Sequence, residues 1–217
     1  MAGLQLSVRC PPDPARYGPL CSYPMRIIAG TYRSRRLDAP PGLSTRPTSD
    51  RLRETLFNVL APRIAGAAFL DLYAGSGAVG LEALSRGAAR VTFVERAPAA
   101  LKVLRKNLDQ LGIASGFEVR AESVAAFLRS STKPSPKPKR YEVAFADPPY
   151  DDLEEYAATL GTLGRMQEIL APGAVIVAEH RRKQHPDDCY GCLQRTRVLE
   201  QGDAALSFYT AEFAPGS

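Results

Sequence analysis

An apolar run, Ala68-Phe69-Leu70-Asp71-Leu72-Tyr73, breaks directly into Ala74-Gly75-Ser76-Gly77-Ala78-Val79-Gly80 and then into a helix-forming stretch. No other feature restricts the fold as much. A buried strand that gives way to glycines and then to a helix opens a βαβ unit. Gly75 and Gly77 let the backbone approach a ligand, and Gly80 permits tight helix packing. From Gly66 onward strands and helices alternate. Strands are predicted at Ala68–Tyr73, Arg90–Glu95, Phe117–Glu122, Glu142–Asp147 and Ala174–His180. Helices are predicted near Val79–Arg86, Pro98–Leu111, Val124–Arg129 and Leu153–Leu170, the second carrying a stripe of Leu101, Leu104, Leu108 and Leu111. Such alternation implies an α/β fold with a mostly parallel sheet and helices on both faces. Gln194–Leu199 and Ala205–Phe213 lie too close together around Gly202-Asp203 to enclose a helix, so they are predicted to pair as a C-terminal antiparallel hairpin.

Three regions divide the chain. Residues 1–24 hold five prolines and no periodic apolar pattern, and are expected to be a disordered leader, with Met25 a candidate start. Residues 25–65 should form a small N-terminal extension. Met25 to Asp38 has the look of a hairpin with a basic turn, Ala39 to Pro47 is a proline-rich connector, and a helix should start with Thr48 or Ser49 as its cap. That helix has the apolar stripe Leu52, Leu56, Val59 and Leu60, with Pro62 as its expected end. Residues 66–217 make the α/β domain, interrupted by a low-complexity lysine-proline loop at Lys133 to Lys139.

Charge is concentrated rather than spread. The net charge is +5, and the segment from Arg26 to Arg63 alone carries eight arginines against Asp38, Asp50 and Glu54, a surplus equal to that of the whole chain. Guanidinium forks match phosphate geometry, so Arg33, Arg35, Arg36, Arg46, Arg51 and Arg53 are candidate contacts to a nucleic-acid backbone. The longest apolar runs, Ile64 to Leu70 and Gly173 to Ala178, are too short to span a bilayer, and no signal sequence is visible. A cytoplasmic protein with no membrane partner is expected. Cys189 and Cys192 form a CxxC near His180 and His185, but no second ligand pair at metal spacing accompanies them, so no metal is expected.

Read literally, Gly75-x-Gly77-x-x-Gly80 is a dinucleotide fingerprint, and Glu95 could hold ribose hydroxyls in a nicotinamide or an adenosyl cofactor. Asp71 tilts the choice, because a carboxylate inside the strand end suits the ammonium group of an amino-acid cofactor. Glu122, beside Ser123, is placed for an adenine edge. Asp147-Pro148-Pro149-Tyr150 ends the fourth strand, where open α/β sheets bind ligands. Its prolines remove backbone donors and leave carbonyl acceptors, and its tyrosine offers a stacking face. The tetrapeptide therefore suits a base with an amino group, without separating adenine, cytosine and guanine.

Five alternating strands closed by a hairpin form the sheet of the Rossmann-like methyltransferases. Four stretches together carry a closer resemblance: Arg46-Pro47-Thr48-Ser49-Asp50-Arg51-Leu52-Arg53-Glu54-Thr55-Leu56-Phe57-Asn58, Asp71-Leu72-Tyr73-Ala74-Gly75-Ser76-Gly77, Leu81-Glu82-Ala83-Leu84-Ser85-Arg86-Gly87-Ala88 and Asp147-Pro148-Pro149-Tyr150. The chain from about Met25 to Phe213 resembles the RsmD-type 16S ribosomal RNA guanine-N2 methyltransferases. It departs from them in the 24-residue extension, the insertion at 131–140, and Glu122 where the family often carries Asp.

The resemblance implies transfer of a methyl group from S-adenosyl-L-methionine to the exocyclic N2 of one guanine in 16S rRNA, within the small ribosomal subunit or an assembly intermediate. It implies cofactor contacts from Asp71, Tyr73, Ala74, Gly75, Ser76, Gly77, Glu95, Glu122, Ser123 and Asp147. Asp147 and the Pro148 carbonyl would accept the two N–H bonds of the amino group, and Tyr150 would stack on the extruded base. No strong base is required, because the nitrogen becomes acidic as the new bond forms. A monomer is expected. The nearest alternative is a DNA methyltransferase acting on the amino group of adenine or cytosine, and a nicotinamide oxidoreductase is a more distant one.

Overall fold

The computed structural model describes residues 25–40, 49–131, 140–148 and 152–213. The expected leader, the end of the proline-rich connector with Arg46 and Thr48, the lysine-proline loop, and Pro149 and Tyr150 lie outside the described residues.

Ser49 starts α1 (Asp50–Ile64), its hydroxyl accepting the Leu52 N–H at 3.2 Å. Asp50 in the first turn suits the positive end of the helix. Pro62 does not end the helix as expected, since α1 continues to Ile64 and leaves helical geometry only at Ala65. A proline in the last turn deletes one intrahelical bond but already has a helical φ, so two further residues follow it. The buried face of α1 is Leu52, Arg53, Leu56, Phe57, Leu60 and Ile64.

Strands and helices then alternate: β1 (Ala68–Leu72), α2 (Ala78–Ser85), β2 (Arg90–Glu95), α3 (Pro98–Leu111), β3 (Phe117–Ala121), α4 (Val124–Ser131), β4 (Tyr141–Ala146), α5 (Leu153–Leu163) and β5 (Leu170–Arg181). One short strand and two long ones follow: β6 (Cys189–Tyr190), β7 (Leu193–Gln201) and β8 (Ala204–Ala211). They form a single sheet in the order β3-β2-β1-β4-β5-β8-β7-β6, parallel through β5 and antiparallel beyond it. The fold is thus the expected α/β sheet with a C-terminal antiparallel hairpin, to which β6 adds an edge. The winding reverses between β1 and β4, the place where such sheets open a crevice for ligands.

Alternation along the strands divides the core in two. Phe69, Phe93, Val143, Phe145 and Val177 pack on one face with α1, α2 and α3. Leu70, Ala144, Ala146, Ile176 and Tyr209 pack on the other with α4 and α5. The helix predicted to reach Leu170 stops at Leu163. At Gly164 a Cβ would lie 1.7 Å from the Tyr190 carbonyl oxygen, and the Gly164 carbonyl accepts the Cys192 N–H at 2.8 Å. The turn between the two cysteines thus seats on the end of α5, giving Gly191 a packing role.

The N-terminal hairpin is sewn onto α2. Within it, Ile27 N–H donates to the Arg35 carbonyl at 2.9 Å and Leu37 N–H to the Met25 carbonyl at 2.8 Å. Gly30, with φ +83, touches Ser85 so closely that a Cβ would sit 1.8 Å from its carbonyl oxygen. Met25, Ile27 and Leu37 belong to the same core cluster as α1 and the sheet. Hairpin and sheet therefore share one hydrophobic core.

Candidate active site

The carboxyl edge of the parallel sheet carries an acid on each strand in spatial order. Glu122 follows β3, Glu95 ends β2, Asp71 lies near the end of β1, Asp147 follows β4, and Glu179 lies near the end of β5. Sequence reasoning named the first four and missed Glu179, although the same strand-end rule points to it. Strand alternation puts Asp71, Asp147 and Glu179 on one face, in line with Phe69, Phe145 and Val177.

Crowding raises the proton affinity of Asp71 and Asp147. Burial pushes the Asp71 carboxyl up to about 7, aided by nearby Glu95 and opposed by the Gly80 N–H. Asp147 is pushed well above the ordinary carboxylate range by burial, then by Glu179 and Asp71. Its carboxylate makes no hydrogen bond among the described residues, so its oxygens remain available as acceptors.

The glycine loop rises beside this row. Gly80 N–H donates to Asp71 Oδ2 at 2.9 Å, and Gly75 N–H to Glu95 Oε2 at 2.8 Å. Glu95 Oε1 accepts Arg96 N–H and Ala97 N–H at 2.8 and 2.7 Å. The glycines differ in purpose. A Cβ on Gly77 would fall 2.3 Å from Leu104, and one on Gly80 would fall 2.3 Å from Phe93, so both exist for packing. Gly75, φ +56, would meet nothing nearer than the Tyr73 carbonyl at 4.0 Å. It is the glycine that faces open space.

Two side chains overlooked in the sequence hold the walls. Buried Asn107 donates Nδ2 to the Ser76 carbonyl at 3.0 Å and to the Asp38 carbonyl at 3.1 Å, and accepts the Asp38 N–H at 2.8 Å. It ties the N-terminal segment to the glycine loop. Tyr156 of α5 donates to the Glu179 carbonyl at 2.9 Å and more weakly to the Pro148 carbonyl at 3.3 Å. Burial and then the Asp147 charge push its ionisation far upward, so it remains a donor. Neither could be found from the sequence, because each contact joins elements far apart in the chain.

Several expected site residues have other partners. Tyr73, in a left-handed conformation at φ +62, sends its hydroxyl to Glu155 at 2.5 Å and Thr159 at 2.6 Å. Ser123 accepts the Ala126 N–H at 3.2 Å and so supports the first turn of α4. Glu122 is paired with Arg120 at 2.5 Å. Ala74 N–H bonds the Val94 carbonyl at 3.0 Å, fixing the loop to β2.

The arginines separate into distinct roles. Arg33, Arg36 and Arg51 are exposed, and their side chains have no partner among the described residues. Arg35 is exposed as well, with one nitrogen on the Gln110 carbonyl at 2.6 Å. Arg53, expected to touch nucleic acid, is 0% exposed and cannot do so. Its Nη2 donates to the Arg26 carbonyl at 2.5 Å and to Asp50 at 2.9 Å, and its Nε lies 3.9 Å from buried Glu82. Its position on the inward stripe of α1, beneath the hairpin, makes it a strut.

The geometry fits an adenosyl amino-acid cofactor. Crowded acids with raised proton affinity are relieved by a cationic ligand, and Gly75 leaves backbone-close space beside Glu95. Among the described residues no His, Cys, Asp and Glu cluster could hold a metal, and no helix is long and apolar enough to cross a membrane.

Residues 25–210 match the family model described as "Conserved hypothetical protein 95". The chain is 35% identical over 185 residues to "Putative rRNA methyltransferase YlbH" of Bacillus subtilis, covering 85% of this chain and 98% of that one. It is 44% identical over 126 residues to "Ribosomal RNA small subunit methyltransferase D" of Escherichia coli, covering 58% of this chain and 60% of the relative. The solved structure "Putative methyltransferase yhhF from Escherichia coli" superposes with a TM-score of 0.73 at 35% identity, over 87% of this chain and 98% of the other. The chain therefore belongs to the "Conserved hypothetical protein 95" family, the RsmD-like methyltransferases.

Proposed function

We propose that this protein transfers a methyl group from S-adenosyl-L-methionine to the exocyclic N2 of a guanine in the 16S rRNA of the small ribosomal subunit, acting as a cytoplasmic monomer. The observation that carries the reading is the position of Asp147-Pro148, across the β1/β4 reversal from the glycine loop, in a chain whose relatives are named for rRNA methylation. The cofactor supplies an electrophilic methyl group. In this reading Glu95 takes its ribose hydroxyls, Asp71 its ammonium group, and Glu122 and Ser123 its adenine, while Gly75, with open space beside it, gives backbone-close approach.

The amino group of guanine is a weak nucleophile because its lone pair is delocalised into the ring. Asp147 and the Pro148 carbonyl accept its N–H bonds and aim the lone pair along the line of transfer. Most of the acceleration then comes from alignment and electrostatics. Tyr150 stacks on the extruded base, a contact worth about 1–3 kcal/mol. Arg33, Arg35, Arg36 and Arg51 contact the RNA backbone, joined by Arg46.

Methyl transfer to 16S rRNA, small subunits and duplex DNA, measured side by side for the wild type and Asp147→Ala, tests the reading. Transfer to rRNA or subunits is expected, lost in the variant while S-adenosylhomocysteine still binds. Transfer to DNA alone would replace rRNA with DNA as substrate. A variant that loses cofactor binding instead would remove Asp147 from the acceptor role.

A further inference from the structure

Hairpin and α1 flank an open hollow of about 530 Å³, within the size range of small-ligand sites. Its lining includes Arg26, Arg33, Asp50, Arg51 and Glu54, and none of the strand-end acids or glycine-loop residues. We propose that this hollow is a second nucleotide subsite, which takes a nucleotide of the substrate RNA other than the one that receives the methyl group. The proposal rests on the rRNA reading above.

The chemistry of the lining is mixed in a way that suits a whole nucleotide. Asp50 is already neutralised, with Arg53 at 2.9 Å and Arg26 at 3.5 Å. Arg33, Arg51 and Glu54 are exposed, and their side chains have no partner among the described residues. Two free guanidinium forks suit a phosphate. A free carboxylate repels a phosphate but accepts hydrogen bonds from a base N–H or a ribose 2′-hydroxyl. A surface that bound only phosphates would gain from losing Glu54.

Both walls are held in place before any ligand arrives. Arg53 bridges the Arg26 carbonyl in one wall and Asp50 in the other, and its buried Nε and Nη1 have no hydrogen-bond partner among the described residues. Burying a guanidinium with two unmet N–H groups opposes stability. What it secures is geometry, since Glu82, its ion partner, also takes the Ile28 and Ala29 N–H groups of the hairpin at 2.7 and 3.0 Å. A preformed hollow avoids the ordering cost of binding. Through Asn107 the same segment is fastened to the glycine loop.

The test is binding of a 16S rRNA fragment to the full chain by fluorescence anisotropy over a range of salt, with S-adenosylhomocysteine titration as a check on the fold. Arg33→Ala and Arg51→Ala should each weaken binding about tenfold and lower the salt slope by about 1. Glu54→Gln and Glu54→Lys should also weaken RNA binding severalfold, against the electrostatic trend, with cofactor affinity retained. Glu54 variants that bind RNA as tightly as the wild type, or more tightly, would reduce the hollow to a basic surface and overturn the proposal. Arginine variants with an unchanged salt slope would overturn it too. A wild-type chain that shows the expected binding pattern but methylates no rRNA would support the subsite and refute the reaction.

Discussion

The Glu82 carboxylate, 0% exposed, accepts the Ile28 backbone N–H at 2.7 Å. It also takes Ala29 N–H at 3.0 Å and pairs with Arg86 at 2.6 Å, so one helix side chain anchors a hairpin more than fifty residues away. Glu82→Ala would leave two hairpin donors, and the Arg53 and Arg86 guanidiniums, without this acceptor. The expected loss is about 3–5 kcal/mol of unfolding free energy. Chemical denaturation measures it, and amide exchange at 27–37 should rise to show the hairpin released.

Glycines 75 and 80 should respond to the same substitution in opposite ways. Gly80→Ala places a Cβ 2.3 Å from Phe93 and 2.8 Å from Val91, so about 1–3 kcal/mol of stability should go. Gly75→Ala meets no neighbour closer than 4.0 Å and suffers only the left-handed backbone, about 1 kcal/mol. Its main effect should be weaker cofactor binding. Melting curves together with calorimetric titration of S-adenosylhomocysteine separate the two.

Asp71 sets a pH dependence. Its folded pKa of about 7 lies above the ordinary value of 3.8, so the folded state binds a proton that the unfolded state releases. The stability this contributes is present in full below about pH 4 and is lost as the pH rises through 7. Asp71→Asn keeps an oxygen for the Gly80 N–H and has no charge to bury. Its stability relative to the wild type should therefore improve across that window, by on the order of 1 kcal/mol per pH unit. Denaturant midpoints at pH 4, 5.5 and 7 read this out, and parallel curves would exclude Asp71 as the source.

Tyr156→Phe should leave the ring packed and remove one buried donor from the Pro148 and Glu179 carbonyls. A net hydrogen-bond contribution near 1 kcal/mol corresponds to a kcat about fivefold lower. KM for RNA and cofactor should change less than twofold. Single-turnover methyl transfer distinguishes this from a binding defect, and equal losses in kcat and cofactor affinity would count against a positioning role.

The local grammar of the chain was readable where a residue's structure depends on its near neighbours. Strand β2 and helix α3 fall at their expected limits because a short apolar run and a Pro-to-Gly boundary each define themselves. Helix α5 does not, because its end is set by Gly164 meeting Tyr190, a contact no window of sequence contains. The edge strand β6 has only two residues and exists because β7 is there to pair with it.

By itself, then, the sequence determined the alternating α/β architecture, the glycine loop, four of the five strand-end acids and the basic N-terminal segment, since apolar period, glycine position and strand-end charge are properties of consecutive residues. The tertiary structure decided which members of those sets face a ligand. Arg53 and Arg51 stand two residues apart in one arginine-rich stretch, yet one is a buried strut and the other an exposed cation, because helical rotation turns only Arg53 beneath the docked hairpin. Asp71 and Asp147 gained their raised proton affinity only when the strands packed, since desolvation at both, and the nearby Glu179 and Asp71 charges at Asp147, arise from the assembled sheet and not from the order of residues.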